Sequence, residues 1–270
     1  PHSARMVGQA RGHQVSFDRP FGRGMLVRPH TERDDRKSRP THAGEDPDVD
    51  GVVYQEYRFA HGYPGYMSSA GWFTYERRFV EWAERNGIAL DYAVSSDLQH
   101  EPAVVNGYRL VLGVGHDEYW SGHMRDTVEG FIAKGGNAAF LSGNTSFWQV
   151  RLEDPTPEGP AASMVGYKGF FKSDPVYGTD RIGELTAMWS DHEIGRPENE
   201  MTGVSFTRGG YHRIGKRVTS GAGGYTIHRP DHWLFEGTGI GYGDVLGAGA
   251  TIVGYECDGC DFTSRDGLPY

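Results

Sequence analysis

The sequence predicts a three-layer α/β sandwich with a mostly parallel sheet and extra β segments toward its C-terminal end. Two apolar runs, residues 110–114 and 138–141, flank a helical pattern over residues 122–134. Short, continuous apolar runs are typical of strands buried on both faces, as in a parallel sheet. Further elements upstream extend this βαβ unit, and alternating helices and strands favour a sandwich of three layers.

The βαβ unit has recognisable ends. Ser121 is placed to cap the N-terminus of the helix, because its hydroxyl can accept a hydrogen bond from a free amide of the first turn. Gly135 can adopt the left-handed conformation that ends a helix. Upstream, residues 71–85 carry apolar side chains at helical spacing, and residues 88–94 alternate as a half-buried strand does. Residues 97–106 are predicted to form a crossover with a short helix.

The whole chain, residues 1–270, is expected to form a single α/β domain, and it has the length to bury a full core. It starts at Pro1 without an initiator Met, so we expect it to be a fragment of a longer chain. Residues 28–70 are rich in charge and proline at their start and in tyrosine further on. They are predicted to form an inserted loop or lid.

The part from residue 145 to residue 270 is expected to be a β-rich extension of the same domain. Residues 153–160 contain several prolines and are predicted to form a loop. Residues 232–239 and 250–256 are interpreted as short strands with glycine turns. Near the other end of the chain, residues 14–21 are interpreted as a short strand that ends at a proline.

Composition excludes several classes of partner. The net charge of −9 argues against a general nucleic-acid binder, and no apolar run approaches the roughly 20 residues that span a bilayer. Cys257 and Cys260 are too few to complete a structural zinc site and are interpreted as reduced thiols in a turn. Sparse cysteine suits a reducing compartment, so we expect a cytoplasmic protein.

Polar residues follow both predicted strands of the unit. His116, Asp117 and Glu118 come after the first strand, and Asn144 follows the second. Open α/β sheets bind ligands at the carboxyl ends of their strands, so these residues are candidates for a functional site. In an extended segment His116 and Glu118 would point to the same side, and Asp117 would face away. The alternatives are a polar cluster capping the helix and, for Asn144, a turn residue.

Seven short motifs occur in order along the chain, from about residue 15 to residue 259. They are Val-Ser-Phe-Asp-Arg-Pro, Gly-His-Asp-Glu-Tyr-Trp-Ser, Leu-Ser-Gly-Asn-Thr-Ser-Phe-Trp-Gln-Val-Arg, Gly-Tyr-Lys, Arg-Pro-Glu, Gly-Thr-Gly and Val-Gly-Tyr-Glu-Cys-Asp-Gly. Together they resemble the C-terminal domain of the N,N-dimethylformamidase large (beta) subunit family. The resemblance implies a flavodoxin-like fold similar to class I glutamine amidotransferases.

The resemblance also implies hydrolysis of a small tertiary amide with a mononuclear iron, held by two tyrosine phenolates and one glutamate. By motif, the family's glutamate, histidine, asparagine and lysine fall on Glu118, His116, Asn144 and Lys168. One tyrosine position holds Phe21, whose phenyl ring cannot bind a metal. Tyr54 and Tyr57 are the candidates to replace it. Formamidase relatives work with a small subunit, so we expect such a subunit or a homo-oligomer.

The sequence therefore supports two functional hypotheses. In the first, the chain is a metal-assisted hydrolase of a carbon–nitrogen bond. Glu118 binds the metal, His116 shuttles a proton, and Asn144 and Lys168 hydrogen-bond the developing oxyanion. For Lys168 the alternative is a surface lysine. In the second, a non-catalytic α/β domain binds a small polar ligand such as a sugar through an aromatic-rimmed cleft.

Overall fold

The computed structural model describes residues 13–16, 76–156, 159–211, 225–246 and 256–259. Several predictions fall outside these ranges. They are the inserted loop or lid over residues 28–70, the start of the helix predicted for residues 71–85, most of the strands predicted for residues 14–21 and 250–256, and the candidate metal ligands Tyr54 and Tyr57 with the substituted position Phe21. These stay predictions.

The described residues form short strands and short helices. The strands are β1 (Gln14–Ser16), β2 (Leu110–His116), β3 (Tyr119–Ser121), β4 (Asn137–Gly143), β5 (Trp148–Thr156), β6 (Gly159–Val165), β7 (Ser205–Tyr211), β8 (Tyr225–Thr226), β9 (Val245–Leu246) and β10 (Glu256–Gly259). The α-helices are α1 (Arg77–Arg85), α2 (Ser95–His100), α3 (Gly122–Ala133) and α4 (Asn199–Thr202). Short 3-10 helices cover Pro102–Val105, Lys168–Ser173, Ile182–Glu184 and Trp233–Phe235.

The predicted βαβ unit is confirmed at the level of its elements. Strands β2 and β4 pair in parallel, and α3 connects them through its own crossover. The hydroxyl of Ser121 accepts a hydrogen bond from the backbone N–H of Met124 at 3.2 Å, which makes it the predicted N-cap. Gly135 ends the turn after α3 with φ of 92°, a conformation that glycine adopts at little cost.

The two parallel strands are less buried than the sequence predicts. Most of their residues are half-buried, and Leu110 and Leu141 expose 47% and 54% of their surface. An apolar run shows that a strand can be covered on both faces, but the packing of other elements decides whether it is. The flavodoxin-like sandwich with a mostly parallel sheet therefore remains a prediction, and the parallel pairs in the described residues are β2–β4 and β3–β5.

A four-stranded sheet has the order β1–β6–β5–β3. Strand β3 runs parallel to β5, while the other pairs are antiparallel. The prediction of a loop over residues 153–160 is wrong, because β5 continues to Thr156 and pairs with β6. The proline signal marks a register shift between Pro155 and Thr156, and prolines within sheets are tolerated at such irregularities.

Two other strand predictions are wrong. Residues 88–94 form no strand, and Tyr92 and Val94 are 60% and 63% exposed. Residues 232–239 contain the 3-10 helix Trp233–Phe235, where His232 Nδ1 accepts a hydrogen bond from the Leu234 amide at 3.2 Å. In both segments alternating or aromatic residues satisfied the local pattern, but a strand also needs a partner edge to pair with.

The main apolar cluster packs α3 against the segment after the 3-10 helix Ile182–Glu184. Its buried members are Trp120, Met124, Val128 and Trp189. The fully buried guanidinium of Arg125 stacks on the Trp189 ring, 4.7 Å from its centroid, and donates to the Pro197 carbonyl at 2.9 Å. A buried charge of this kind costs little only because its donors are bound. Within the described ranges no helix is long and apolar enough to cross a membrane.

One buried carboxyl in this region predicts a pH dependence of stability. Glu198 has no solvent-exposed surface, and the Ser205 hydroxyl donates to its Oε1 atom. Among the described residues its Oε2 atom has no hydrogen-bond partner. Burial raises the pKa of Glu198 above 4.5, and the nearby charge of Asp258 raises it further.

A raised carboxyl pKa favours the folded state most below pH 4.5, and this contribution is lost as pH rises through the folded pKa. We therefore expect Glu198→Gln to gain stability relative to the parent protein between pH 5 and pH 8. The measurement is the free energy of unfolding in urea across this range. Glu200→Gln, an exposed position on the same helix, is the control and should show no such trend.

Candidate functional site

The carboxyl ends of β2 and β4 carry the predicted polar residues. Directly after β4 the chain makes a turn in which Asn144 and Ser146 have φ of 56° and 51°, the left-handed region that few residues other than glycine adopt. Such conformations persist where the surroundings hold them, and they cluster at functional sites. Asn144 is 3% exposed and Ser146 is fully buried, so this turn packs inside the protein.

Backbone hydrogen bonds tie this turn to the segment after β2. The Ser146 amide donates to the Asp117 carbonyl at 2.8 Å. The amides of Phe147 and Trp148 both donate to the Glu118 carbonyl, at 3.1 and 3.0 Å. These three bonds bring the Asn144 turn and Glu118 to one place, as the carboxyl-edge argument expects.

The Glu118 carboxylate is buried and lies beside a cation. It is 8% exposed, its Oε1 atom accepts a hydrogen bond from the Trp148 indole Nε1 at 2.9 Å, and Lys168 Nζ lies 3.7 Å from the same oxygen. A carboxylate removed from water needs such partners, because an unpaired buried charge is very costly. The structure therefore makes Glu118 and Lys168 a largely buried ion pair.

Two aromatic rings hold the lysine in place. Lys168 Nζ donates to the Tyr119 hydroxyl at 2.7 Å and lies 4.7 Å from the centroid of the Tyr119 ring. It also lies 5.2 Å from the centroid of the Trp148 ring. An ammonium over aromatic faces is attracted by their negative quadrupole, so these rings replace part of its hydration. Lys168 is thus no surface lysine, which was the alternative interpretation.

A second buried ion pair supports the backbone of Lys168. This residue has φ of 56°, and its amide donates to the Thr186 carbonyl at 2.9 Å. Thr186 in turn donates to Asp174 Oδ2 through its hydroxyl at 2.7 Å and its amide at 3.1 Å. Arg151 Nη1 reaches the same oxygen at 2.8 Å. Burial alone would raise the pKa of Asp174, but the bonds from Arg151 and Thr186 hold it below its usual value.

His116 lies at the exposed end of β2, among acidic groups. Burial raises the pKa of Asp117 to about 6, and the neighbouring charge of His116 opposes this rise. Burial also raises the pKa of Glu76, again opposed by His116. The Asp117 carboxyl is therefore largely withdrawn from water and lies close to the charges of His116 and Glu76. Strand β2 ends at His116, so the two-residue alternation does not carry through to Glu118.

Sequence reasoning named four site residues, and the structure relates them in three ways. Lys168 contacts Glu118 directly, Asn144 is joined to the Glu118 segment through its turn, and His116 lies beside the acidic residues. Tyr119 and Trp148 were missed as site residues. Both belong to the quoted motifs, but an aromatic residue beside a strand is usually a packing residue, and its polar tip carries no signal by itself.

Among the iron ligands that the resemblance implies, Glu118 is the one that falls within the described residues. Glu118 supplies a hard oxygen ligand, but its Oε1 atom is bound by an indole N–H and lies close to an ammonium. Within the described ranges no group of three or more His, Cys, Asp or Glu residues is placed to hold a metal ion. The candidate tyrosine ligands Tyr54 and Tyr57 lie outside those ranges.

The sequence of this chain matches a known protein family. The family model described as "N,N-dimethylformamidase beta subunit-like, C-terminal" matches residues 2–269. The chain belongs to this family. Within it, the chain is 26% identical over 197 residues to the N,N-dimethylformamidase beta subunit of an Alcaligenes species. It is 25% identical over 199 residues to the protein of the same name from Paracoccus aminophilus.

The matches cover 67% and 68% of this chain but only 24% of each relative. The chain thus corresponds to a minor part of the relatives' length. The dimethylformamidase family that the seven motifs indicated is confirmed. The activity, substrates and partners of the complete relatives do not follow for this chain from the match alone.

Proposed function

We propose that this chain carries catalytic residues of a hydrolase that cleaves the carbon–nitrogen bond of a small amide. One observation supports this most. The buried Glu118 carboxylate lies 3.7 Å from Lys168 Nζ, at the carboxyl end of a strand in a parallel pair. Polar groups at the carboxyl end of such a strand are candidates for a functional site, and the relatives are named as N,N-dimethylformamidase beta subunits.

Hydrolysis of an amide develops negative charge on the carbonyl oxygen. In the proposal Lys168 Nζ donates a hydrogen bond to that oxygen, and the amide side chain of Asn144 donates a second. Donors that are held in place before the reaction stabilise this charge without reorganising, which is the largest single contribution in many enzymes. Tyr119 and Trp148 hold the ammonium in position through the contacts described above.

The other requirements are an oriented water molecule and a proton for the leaving amine. The Glu118 carboxylate is placed to accept a hydrogen bond from that water and to orient it toward the carbonyl carbon. His116, at the exposed end of β2, is the proposed proton donor to the amine. The sugar-binding alternative assigns none of these roles to the Glu118–Lys168 pair.

The iron that the resemblance implies remains a proposal of its own. If Glu118 binds a metal, purified full-length protein contains close to one equivalent of iron, and Glu118→Gln reduces that content. Elemental analysis of both proteins is the measurement. Iron retained unchanged in the variant would assign the metal to other ligands.

The relatives are named as beta subunits, and we propose that this protein also assembles with a second kind of subunit. Native mass spectrometry of protein purified from its own source is the measurement. We expect a complex with a smaller chain. A mass that corresponds to copies of one chain would leave the homo-oligomer instead.

The lysine provides the test of the oxyanion role. Lys168→Met keeps most of the side-chain volume and removes the donor, so we expect kcat/KM for N,N-dimethylformamide to fall by about 100-fold or more. Release of dimethylamine is the measurement. Lys172→Met, an exposed position on the same 3-10 helix, is the matched control and should keep full activity. Equal activity of the two variants would remove Lys168 from the proposed mechanism.

A further inference from the structure

The turn that carries Asn144 is held by a carboxylate that lies 114 residues further along the chain. Asp258 Oδ1 accepts a hydrogen bond from the backbone N–H of Asn144 at 2.8 Å, and its Oδ2 atom accepts one from the backbone N–H of Thr145 at 3.1 Å. Successive backbone N–H groups in a turn with a left-handed residue form a concave site for an anion. Here the anion is a side chain of the protein, and each carboxylate oxygen binds one amide.

This carboxylate belongs to strand β10, which pairs with β7. Strand β10 pairs with β7, with Cys257 opposite Gly210 and Gly259 opposite Ser205, and the register shifts between Cys257 and Gly259. Between these two pairs β10 has one residue, Asp258, whereas β7 has four, residues 206–209, so β7 carries the additional residues of this irregularity. A Cβ atom at Gly259 would lie 2.7 Å from the Arg208 carbonyl oxygen, so the close approach of β7 requires glycine there.

The segment of residues 144–148 also binds Glu118 through hydrogen bonds. Its first two amides, those of Asn144 and Thr145, bind Asp258, and its last two, those of Phe147 and Trp148, bind the Glu118 carbonyl. The Trp148 side chain then donates to the Glu118 carboxylate. A shift of the segment at its first residues would therefore move both Asn144 and the donor to Glu118.

We infer that Asp258 is a positioning residue, a carboxylate clamp that orients Asn144, and through the segment Trp148 and Glu118, for catalysis. The clamp itself stands on the hydrogen bonds, while its catalytic consequence rests on the proposed function. Charge-assisted hydrogen bonds to backbone amides are short and strong, so neither a neutral side chain nor water reproduces both. A displacement of about 1 Å in a catalytic group can cost about 100-fold in rate.

The first test measures the clamp without any activity. In the full-length protein, NMR should detect couplings across the hydrogen bonds from the amide nitrogens of Asn144 and Thr145 to the Asp258 carboxylate carbon. In Asp258→Asn, hydrogen exchange at these two amides should accelerate by about 10-fold or more. Asp244→Asn is the matched control, because Asp244 accepts from the Gly241 amide at 2.8 Å in an exposed turn. Absent couplings, or unchanged exchange, would overturn the clamp.

The second test asks whether the clamp acts on catalysis through Asn144. We expect Asp258→Asn to lower kcat for N,N-dimethylformamide by about 10- to 100-fold, with KM changed by less than about 3-fold. In an Asn144→Ala background the same substitution should cost clearly less than in the parent protein, because the part of its effect that passes through the Asn144 side chain is already lost. Independent, multiplicative losses would overturn the positioning role.

The outcomes separate the two proposals. A parent protein that releases no amine from any small amide contradicts the proposed function, and the couplings and exchange rates still decide the clamp. Faster exchange in Asp258→Asn with an unchanged kcat contradicts the catalytic role of the clamp and leaves the proposed function in place.

Discussion

Replacement of Glu118 by glutamine is expected to abolish most of the proposed amide hydrolysis, with a loss in kcat/KM of about 100- to 10,000-fold. The glutamine has nearly the same shape, but it has no negative charge with which to pair the Lys168 ammonium and orient water. It also places an NH2 group or a weaker acceptor beside the Trp148 indole N–H, which now donates to a carboxylate at 2.9 Å. The assay is amine release from N,N-dimethylformamide under saturating and limiting substrate.

The control for this variant is Glu101→Gln, an exposed glutamate in the loop after α2. It should retain the parent activity. A Glu118→Gln protein that is folded and equally active would exclude the Glu118–Lys168 pair from the chemistry. Saturable binding of a sugar that is unaffected by the same substitution would then favour the non-catalytic alternative.

The largest effect on stability is expected at Asp174. Asp174→Ala leaves the Arg151 guanidinium, which is 8% exposed, without its main partner and also removes both hydrogen bonds that hold Thr186. Breaking a buried ion pair by removing one partner costs about 3–5 kcal/mol, and because Arg151 keeps its pair with Glu153, the expected loss lies at the lower end of this range. Urea unfolding at pH 7, followed by circular dichroism, measures the loss.

The pH dependence at Asp174 has a defined sign. The folded-state pKa of this carboxyl is lowered, so its stabilising contribution is present above the unfolded value of 3.8 and is lost as pH falls through the folded value. The deficit of Asp174→Ala relative to the parent should therefore shrink in acid. Asp231→Asn is the matched control, because its ion pair with Arg229 is exposed and worth little. A deficit that does not vary with pH would contradict this account.

Because the Thr186 carbonyl and hydroxyl bind the amides of Lys168 and Tyr167, loss of Asp174 should also reduce activity. A smaller and more conservative change separates the two effects. Thr186→Ser keeps the hydroxyl donor to Asp174, so the folded protein should retain most of its hydrolytic rate.

Local patterns predicted the elements whose signals are local. The parallel strands β2 and β4, helix α3, its cap at Ser121 and the turn at Gly135 all depend on residues close together in the chain. The strands predicted for residues 88–94 and 232–239 are absent, because a strand also needs a distant partner strand to pair with. Local residue patterns do not show whether such a partner exists. The loop predicted for residues 153–160 was wrong for the opposite reason, because β5 and β6 pair there although the prolines indicated a loop.

By itself the sequence determined the family, through motifs in a fixed order, and it placed His116, Glu118 and Asn144 at the carboxyl edge of two strands. Only the tertiary structure decided what surrounds them. The Lys168 ammonium beside Glu118, the rings of Tyr119 and Trp148, and the Asp258 clamp on the Asn144 turn join residues distant in sequence. Charges and hydrogen-bond donors act over a few ångströms of space, and the spacing of residues along a chain does not encode those distances.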